Sequence, residues 1–487
     1  TTTKDGLDVI TVVPDGDVIL DVTFETSKET LKAARKAINA ATRITLKQHQ
    51  HQQHQQNTTN TPLLKPKFRR GYRASLSVLT HHSKYFSNLL GDARFAEAKA
   101  ITAAFAQLAL RAVKPSEAAV DDLPVVRIAE DDEATQSAGQ EAVFEDLLRL
   151  LHGRDILTTI KPAASANPLP YLAKLAVLAD RFDCTAAVAR CMSTMPSLKK
   201  LLKWPATHTR LSREDGVALT KAAEETLRQK ILVAWLLDQP LRMPTATREL
   251  VLYGSRKWSG SEALLGEVEG NSAAWWDLPD DLERELQYRR ECILNTIASV
   301  HRHFLQIYTS RNARQCKLGY DSSASCDSYQ LGEAVKFLLG RNLLFFFDFS
   351  PASLDAAFGS SNNDYATADI YHVIATLKQF PGYQIDKNHT NCGMRNRILP
   401  ILDYVQALLK SNVVSVARPA WSRNREDVSW LMASAEDSEQ QQGGPKIFRF
   451  TRSMATDQRL RFEGAMAADR IARALFTADQ WDWTPEE

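Results

Sequence analysis

Four residues in the second half of the chain pair metal-ligand chemistry with suggestive spacing. Cys316 and Cys326 form a C-x9-C pair, and His389 and Cys392 form an H-x2-C pair. Thiolate and imidazole are the donors that a tetrahedral structural zinc prefers, and H-x2-C lets one turn of chain deliver two of them. C-x9-C is wider than the C-x2-C to C-x4-C spacing of most zinc ligand pairs. Without a metal the two pairs would be unrelated, small buried hydrophobes and a surface histidine, as free cysteines commonly are. Ligand chemistry favours zinc. Three cysteines and one histidine fill all four positions, whereas a catalytic zinc keeps one open for water, so a structural metal is expected.

Other constellations read more plainly. Cys292, His301 and His303 form a rival set, but on a helix over Leu282–Leu305 the i, i+2 histidines point to different faces. Cys184 and Cys191 lie seven positions apart in a helical pattern, about 10 Å along the axis and beyond disulfide reach, which suggests core packing. The run Gln48-His-Gln-His-Gln-Gln-His-Gln-Gln56 reads as a disordered polar tract rather than a weak metal binder. Lys65-Pro-Lys-Phe-Arg-Arg70 reads as a solvated basic linker rather than a nuclear-import patch. Trp204, Trp235, Trp258, Trp275 and Trp276 cluster in the middle third, where helix packing explains them better than a peptide groove. A phosphate-binding glycine loop, a dinucleotide fingerprint, a nucleophile elbow and an H-E-x-x-H helix are all missing, so no enzymatic role is expected.

The elements that must position these residues begin with a strand. Asp17-Val-Ile-Leu-Asp-Val-Thr-Phe24 alternates Val18, Leu20, Val22 and Phe24 against Ile19, Asp21 and Thr23 after a Pro14-Asp15-Gly16 turn. From about 27 to 70 the pattern breaks down through a Lys/Ala helical stretch into the Gln/His run, and reads as a mobile insertion. A strand at Tyr72–Leu76 then leads into helix-spaced Val78, Leu79, Tyr85, Phe86, Leu89 and Leu90. Residues Ala98–Ala119 are alanine-rich, Leu123–Ile128 form a short strand, and Glu141–Leu151 and Tyr171–Ala179 are amphipathic helices. Beyond Trp204 helix periods recur at Ala218–Leu237, Leu282–Leu305, Leu331–Leu339, Ala368–Phe380 and Leu399–Leu409, broken at Pro240, Pro244, Pro279 and Pro351. Ser438–Pro445 reads as a linker or loop, Phe448–Phe450 as a strand and Asp457–Phe476 as a last helix; no internal repeat is visible.

The N-terminal order of elements resembles the BTB/POZ family, in particular the BTB proteins of filamentous fungi, over about two fifths of the chain. Asp17–Phe24 is similar to the family's opening strand. Tyr72-Arg-Ala-Ser-Leu-Ser-Val-Leu-Thr-His-His-Ser-Lys-Tyr-Phe86 is similar to the next strand and helix, with Ser75 where many members carry histidine. Phe95-Ala-Glu97, Val125-Val-Arg-Ile128, Phe144-Glu-Asp-Leu-Leu-Arg-Leu-Leu151 and Leu175-Ala-Val-Leu-Ala-Asp-Arg-Phe-Asp-Cys184 follow in family order. The resemblance implies an α+β architecture: a BTB/POZ-like domain of short sheet and helices over 1–197, a mainly α-helical domain over 198–412, and an extension over 413–487. It implies a non-enzymatic adaptor or scaffold with protein partners, homo- or hetero-oligomeric through the BTB-like domain. Some members serve cullin ubiquitin ligases, and Phe95 and Glu97 are similar to the apolar-x-acidic element used at that contact. The other implied role is a transcription or chromatin-associated regulator that oligomerises through the same domain. Cys326-Asp-Ser-Tyr-Gln-Leu-Gly332 and His389-Thr-Asn-Cys-Gly393 also resemble segments that recur after the domain in fungal members.

Composition bounds these readings. A chain of 487 residues exceeds what one core usually serves, so two or three domains are expected. With 44% hydrophobic and 24% charged residues of mixed sign, a soluble globular protein is expected. The balance of 60 basic to 58 acidic residues leaves +2, which gives no global field toward nucleic acid or an anionic membrane. The most apolar stretches, Ile231–Leu237 and Leu343–Phe347, fall far short of the ~18–20 residues that cross a bilayer. Thr1–Asp8 shows neither region of a secretory signal, and six cysteines spread from Cys184 to Cys392 suit a reducing compartment, cytoplasmic or nuclear.

Overall fold

Val18–Glu25 is flanked on both sides by other strands, and the N-terminal part of the fold is built around it. In the computed structural model, which describes residues 2–3, 6–49, 64–156, 168–199, 201–202, 220–258, 273–312, 314–341, 343, 368–390, 392–433, 447–456, 465–478 and 480–483, the chain is α+β. A mixed four-stranded sheet near the N-terminus is followed by a mostly helical remainder. The elements run β1 (Val9–Thr11), β2 (Val18–Glu25), α1 (Lys28–His49), β3 (Lys67–Ala74), α2 (Leu76–His82), α3 (Lys84–Gly91), α4 (Ala96–Leu110), β4 (Val125–Asp131), α5 (Glu141–Leu151), α6 (Leu169–Arg181), α7 (Thr185–Thr194) and α8 (Pro196–Lys199). Then come α9 (Lys221–Leu236), α10 (Met243–Tyr253), α11 (Leu282–Thr309), α12 (Ser323–Gly340), α13 (Ile370–Lys378), α14 (Met394–Lys410), α15 (Arg418–Arg423), α16 (Arg425–Val428), β5 (Ile447–Arg449), α17 (Arg452–Thr456), α18 (Ala465–Thr477) and β6 (Gln480–Asp482).

The chain divides into two units, one comprising Thr1–Pro205, Leu232–Gln239 and Glu267–Asp277, the other Ala206–Ile231, Pro240–Gly266 and Leu278–Glu487. These boundaries differ from a split at 197 and 412. Residues beyond 412 are built into the second unit: Val413, Val414, Trp421 and Trp430 are buried, and Glu285 of α11 accepts from Ser429 Oγ and Trp430 N, both at 2.8 Å. The loop expected at 438–445 lies outside the described residues. The strand expected at Phe448–Phe450 is β5, which pairs in parallel with β6.

In the first unit the sheet order is β1-β3-β2-β4, with β2 antiparallel to β3 and parallel to β4, and β1 parallel to β3. The period-two signal of β2 holds, yet both faces are covered. Val18, Leu20, Val22 and Phe24 join the main core with Tyr72, Phe144 and Phe182, while Ile19 packs in a second cluster with Leu7, Val9, Leu108 and Leu123. Asp21, on that second face, is buried and accepts from Nε and Nη2 of Arg69 at 2.7 and 2.6 Å. Such a bidentate pair satisfies a carboxylate that burial alone would penalise.

The Lys/Ala helical stretch expected after Ser27 is present, and the reading of 65–70 as part of an insertion or linker is corrected. Residues 28–49 are helix α1, whose first turn is capped where Thr30 N donates to Ser27 Oγ at 3.1 Å, and Lys67–Arg70 belong to β3 rather than to an insertion or basic linker. The helix follows from a run without glycine or proline. The strand follows because every residue from Lys67 to Ala74 pairs across to β2. Of the Gln/His run, Gln48 and His49 end α1, and 50–56 lie outside the described residues.

Helix α5 matches its predicted span and buries Val143, Phe144, Leu147, Leu148, Leu150 and Leu151 at the i, i+3, i+4, i+7 spacing of one apolar stripe. Phe144 meets Phe24, Tyr72 and Phe182 at 5.9, 5.3 and 5.4 Å between ring centroids. Each fully buried ring contributes about 1.5–3 kcal/mol over leaving it exposed. The middle-third tryptophans divide: Trp275 and Trp276 pack in the main core of the first unit, Trp258 Nε1 donates to Glu283 at 2.7 Å in the second, and Trp204 lies outside the described residues.

Candidate metal centre

The second unit brings Cys316, Cys326, His389 and Cys392 together. Cys316 lies on the loop from α11 to α12, Cys326 on the first turn of α12, and His389 and Cys392 just before α14. Their ligand atoms all lie within 4.8 Å of one another. Cys316 Sγ is 3.7 Å from Cys392 Sγ and 3.4 Å from His389 Nδ1, and Cys392 Sγ is 3.5 Å from Nδ1. A tetrahedral metal with bonds of about 2.3 Å to sulfur and about 2.0–2.1 Å to nitrogen requires edges of about 3.8 and 3.5 Å. The spacings among Cys316, His389 and Cys392 fit, and Cys326 Sγ lies within 4.8 Å of each of them. Cys316, Cys326 and His389 are buried and Cys392 is partly exposed.

The wide C-x9-C interval has a local cause. Gly319 takes a left-handed φ of 75° that turns the loop. Asp327, next to Cys326, then accepts from Gln315 N at 2.7 Å and Cys316 N at 3.0 Å. One carboxylate thus fixes the backbone of the first ligand against the helix that carries the second. On the other side, Asp386 Oδ1 accepts from Asn388 N at 2.8 Å, turning the chain into His389. Tyr308 of α11 donates to the Cys392 carbonyl at 3.0 Å, and Arg397 of α14 donates to Gln315 Oε1 at 2.6 Å.

The hydrogen bonds also orient the imidazole. Ser322 Oγ donates to Asp386 Oδ2 at 2.8 Å and lies 3.0 Å from His389 Nε2. The hydroxyl proton is committed to Asp386, so Nε2–H donates to Ser322 and the Nδ1 lone pair faces the sulfurs. This tautomer, assigned from the network, is the one a metal needs.

The thiols oppose one another electrostatically. Burial pushes the Cys326 thiol up to about 12, with Cys316 and Cys392 acting in the same direction. Burial and then Cys316 raise Cys392. Burial also acts to raise Cys316, but hydrogen bonds involving Ser323, the Leu318 backbone, Cys392 and Cys326 outweigh it and bring this thiol below its usual range. Three thiolates this close would need a cation, and a divalent metal could supply it while displacing their protons.

A thiol beside an imidazole can also serve as nucleophile and base. Here His389 is fully buried and its Nδ1 faces the sulfurs of Cys316 and Cys392 at 3.4 and 3.5 Å. Among the described residues no other group gathers three or more such ligands. The rival set does not assemble: Cys292 is buried, His301 Nδ1 is committed to the Ile297 carbonyl at 2.9 Å, and His303 stands edge-on to Phe304. Cys184 and Cys191 are free thiols bonded to the carbonyls of Ala179 and Leu150 at 3.4 and 3.3 Å.

In the first unit, Phe95 stands at the N-cap of α4, 41% exposed, with Glu97 in the first turn. The outward face of α4 continues through exposed Ala96, Ala100, Ala103 and Leu110. Sequence reasoning passed over Asp327, Ser322 and Asp386, because nothing in residue type distinguishes a carboxylate or hydroxyl that braces a ligand from one in solvent. No family model, curated protein or solved structure matches the chain.

Proposed function

We propose that the chain is a non-enzymatic protein-interaction adaptor or scaffold, with a BTB/POZ-like first unit and a helical second unit cross-linked by a structural zinc. The observation that carries this reading is the closed Cys3His set: four ligands leave no position for substrate or catalytic water. Partner docking is supported by exposed Phe95 and the nearly uncharged outer face of α4. Strand β4 is supporting evidence too: it lies at an edge of its sheet, where unpaired backbone groups invite another chain. No helix among the described residues is long and apolar enough to cross a membrane.

Elemental analysis of the purified chain tests the metal; less than half a zinc per chain would overturn it. Light scattering tests self-association, and a strict monomer at tens of micromolar would count against it. For docking, a pull-down compared between wild type and Phe95→Ala should lose its specific protein partners, cullin-type ligase subunits among those sought. An unchanged partner set would remove Phe95 from the interface.

A further inference from the structure

The four ligands differ in one respect that bears on regulation. Three are buried, while Cys392 reaches solvent in part. Its sulfur is 3.7 Å from that of Cys316, at van der Waals contact, and the segments that carry the two are independently anchored by Asp327 and Tyr308. Two thiolates held in contact, one of them accessible, make the arrangement from which a disulfide forms with little backbone movement.

We infer that Cys316 and Cys392 form a peroxide-sensitive pair whose oxidation to a disulfide expels the metal. The inference rests on the metal reading above. A hydroperoxide transfers one oxygen to the Cys392 thiolate, which becomes a sulfenic acid as hydroxide leaves. The Cys316 thiolate then attacks the Cys392 sulfur and displaces a second hydroxide. Each sulfur gives up one electron, the two peroxide oxygens take them, and two thiolates plus one hydrogen peroxide yield one disulfide and two hydroxides. The metal is left with Cys326 and His389 alone, too few donors to hold it in competition with cellular chelators. The covalent bond preserves the link between the α11–α12 loop and the segment before α14. What is released is Cys326, and with it the first turn of α12 and the exposed Leu318 and Tyr320 beside it.

Cys191 provides an internal comparison: it too is partly exposed, but its thiol donates to the Leu150 carbonyl at 3.3 Å, and no second thiol lies in hydrogen-bonding contact with it among the described residues. The test treats the full-length, as-purified chain with hydrogen peroxide in the presence of a chromogenic zinc chelator, followed by non-reducing peptide mapping. Expected are loss of one zinc per chain, a cross-linked peptide joining Cys316 to Cys392, and recovery of zinc binding after a dithiol reductant. Zinc retained while peroxide is consumed, or a first disulfide that involves Cys326 or Cys191, would overturn the inference. Protein purified without zinc would instead sink the metal reading and with it the expulsion step. The same mapping on that protein still decides the pairing: a Cys316–Cys392 peptide upholds it and any other pair refutes it. Cys191→Ser should release zinc as fast as wild type, and a slower release would place the sensor in the first unit and refute the proposal.

Discussion

Helices α5 and α12 are held in place by different physics. In its 11 residues α5 buries six large apolar side chains against a sheet that is itself apolar on that face. In its 18 residues α12 buries Ser323, Cys326, Gln330, Ala334 and Leu338, and leaves Tyr329, Val335 and Leu339 exposed. Apolar burial is the dominant favourable term for α5. For the first turns of α12 the available terms are polar clamps and a metal ligand. Where the apolar stripe is thin, a metal held by the Cys3His cluster would take over the work of ordering the chain.

Metal removal should break this contrast most sharply. Structural zinc contributes on the order of 10 kcal/mol or more in small sites. Chelation, or Cys392→Ser, should therefore abolish amide protection across residues 316–340 and leave α5 protected. Hydrogen exchange with mass spectrometry reads both at once, and equal loss in α5 would show that the two units do not separate energetically. The reverse experiment is Phe144→Ala, which removes a ring touching Phe24, Tyr72 and Phe182. It should destabilise the first unit by about 3–5 kcal/mol in urea while the zinc content stays unchanged.

A finer cut separates the metal from its supports. Asp327→Ala frees two backbone amides and Ser322→Ala unties His389 from Asp386. Each should weaken metal affinity by about 10–100-fold, as loss of a supporting hydrogen bond typically does. Competition against a chelator of known affinity measures it. An affinity within twofold of wild type would mean that the ligands need no bracing.

The two regions were unequally legible in sequence. Helix α5 showed its span because an apolar stripe repeats with the helix period, and the four ligands showed themselves because cysteine and histidine are scarce and chemically distinctive. The second face of β2 did not, since a buried Asp21 reads as a solvent residue until Arg69 is known to lie beside it. The helical character of α1 was legible, but where it is anchored was not, and neither was the packing of the chain beyond 412. Their places depend on partners such as Asp132, which accepts from Ser27 N at 2.7 Å, and Glu285, distant in sequence and invisible to any window. Glu224–Arg228 and Glu285–Arg289, four apart on their helices, are buried ion pairs, and residue type alone does not distinguish such pairs from solvated ones.

The smallest expected effect concerns pH, and it runs in opposite directions in the two units. Burial pushes Glu130 on β4 up to about 7, against the pull of Arg181, whose guanidinium lies 3.1 Å away but is partly open to solvent. Burial outweighs the ion pair because the second carboxylate oxygen, Oε2, is enclosed without a hydrogen-bond partner. The folded chain therefore binds this proton below about pH 7, whereas the unfolded chain binds it only near the ordinary value of 4.5. Between those values the folded state carries the extra proton, so the Glu130 contribution favours folding as pH falls from 7 toward 4.5 and is lost as pH rises through 7. Acid would act the other way on a zinc-loaded centre, because protons compete with the metal for the thiolates. The difference between wild type and Glu130→Gln, measured in excess zinc, isolates the first effect. The variant should gain about 1–2 kcal/mol over wild type at pH 8, shrinking to near zero at pH 5. A difference that stays constant across that range would show that Glu130 does not titrate there, and one that grows toward acid would show that the ion pair outweighs burial.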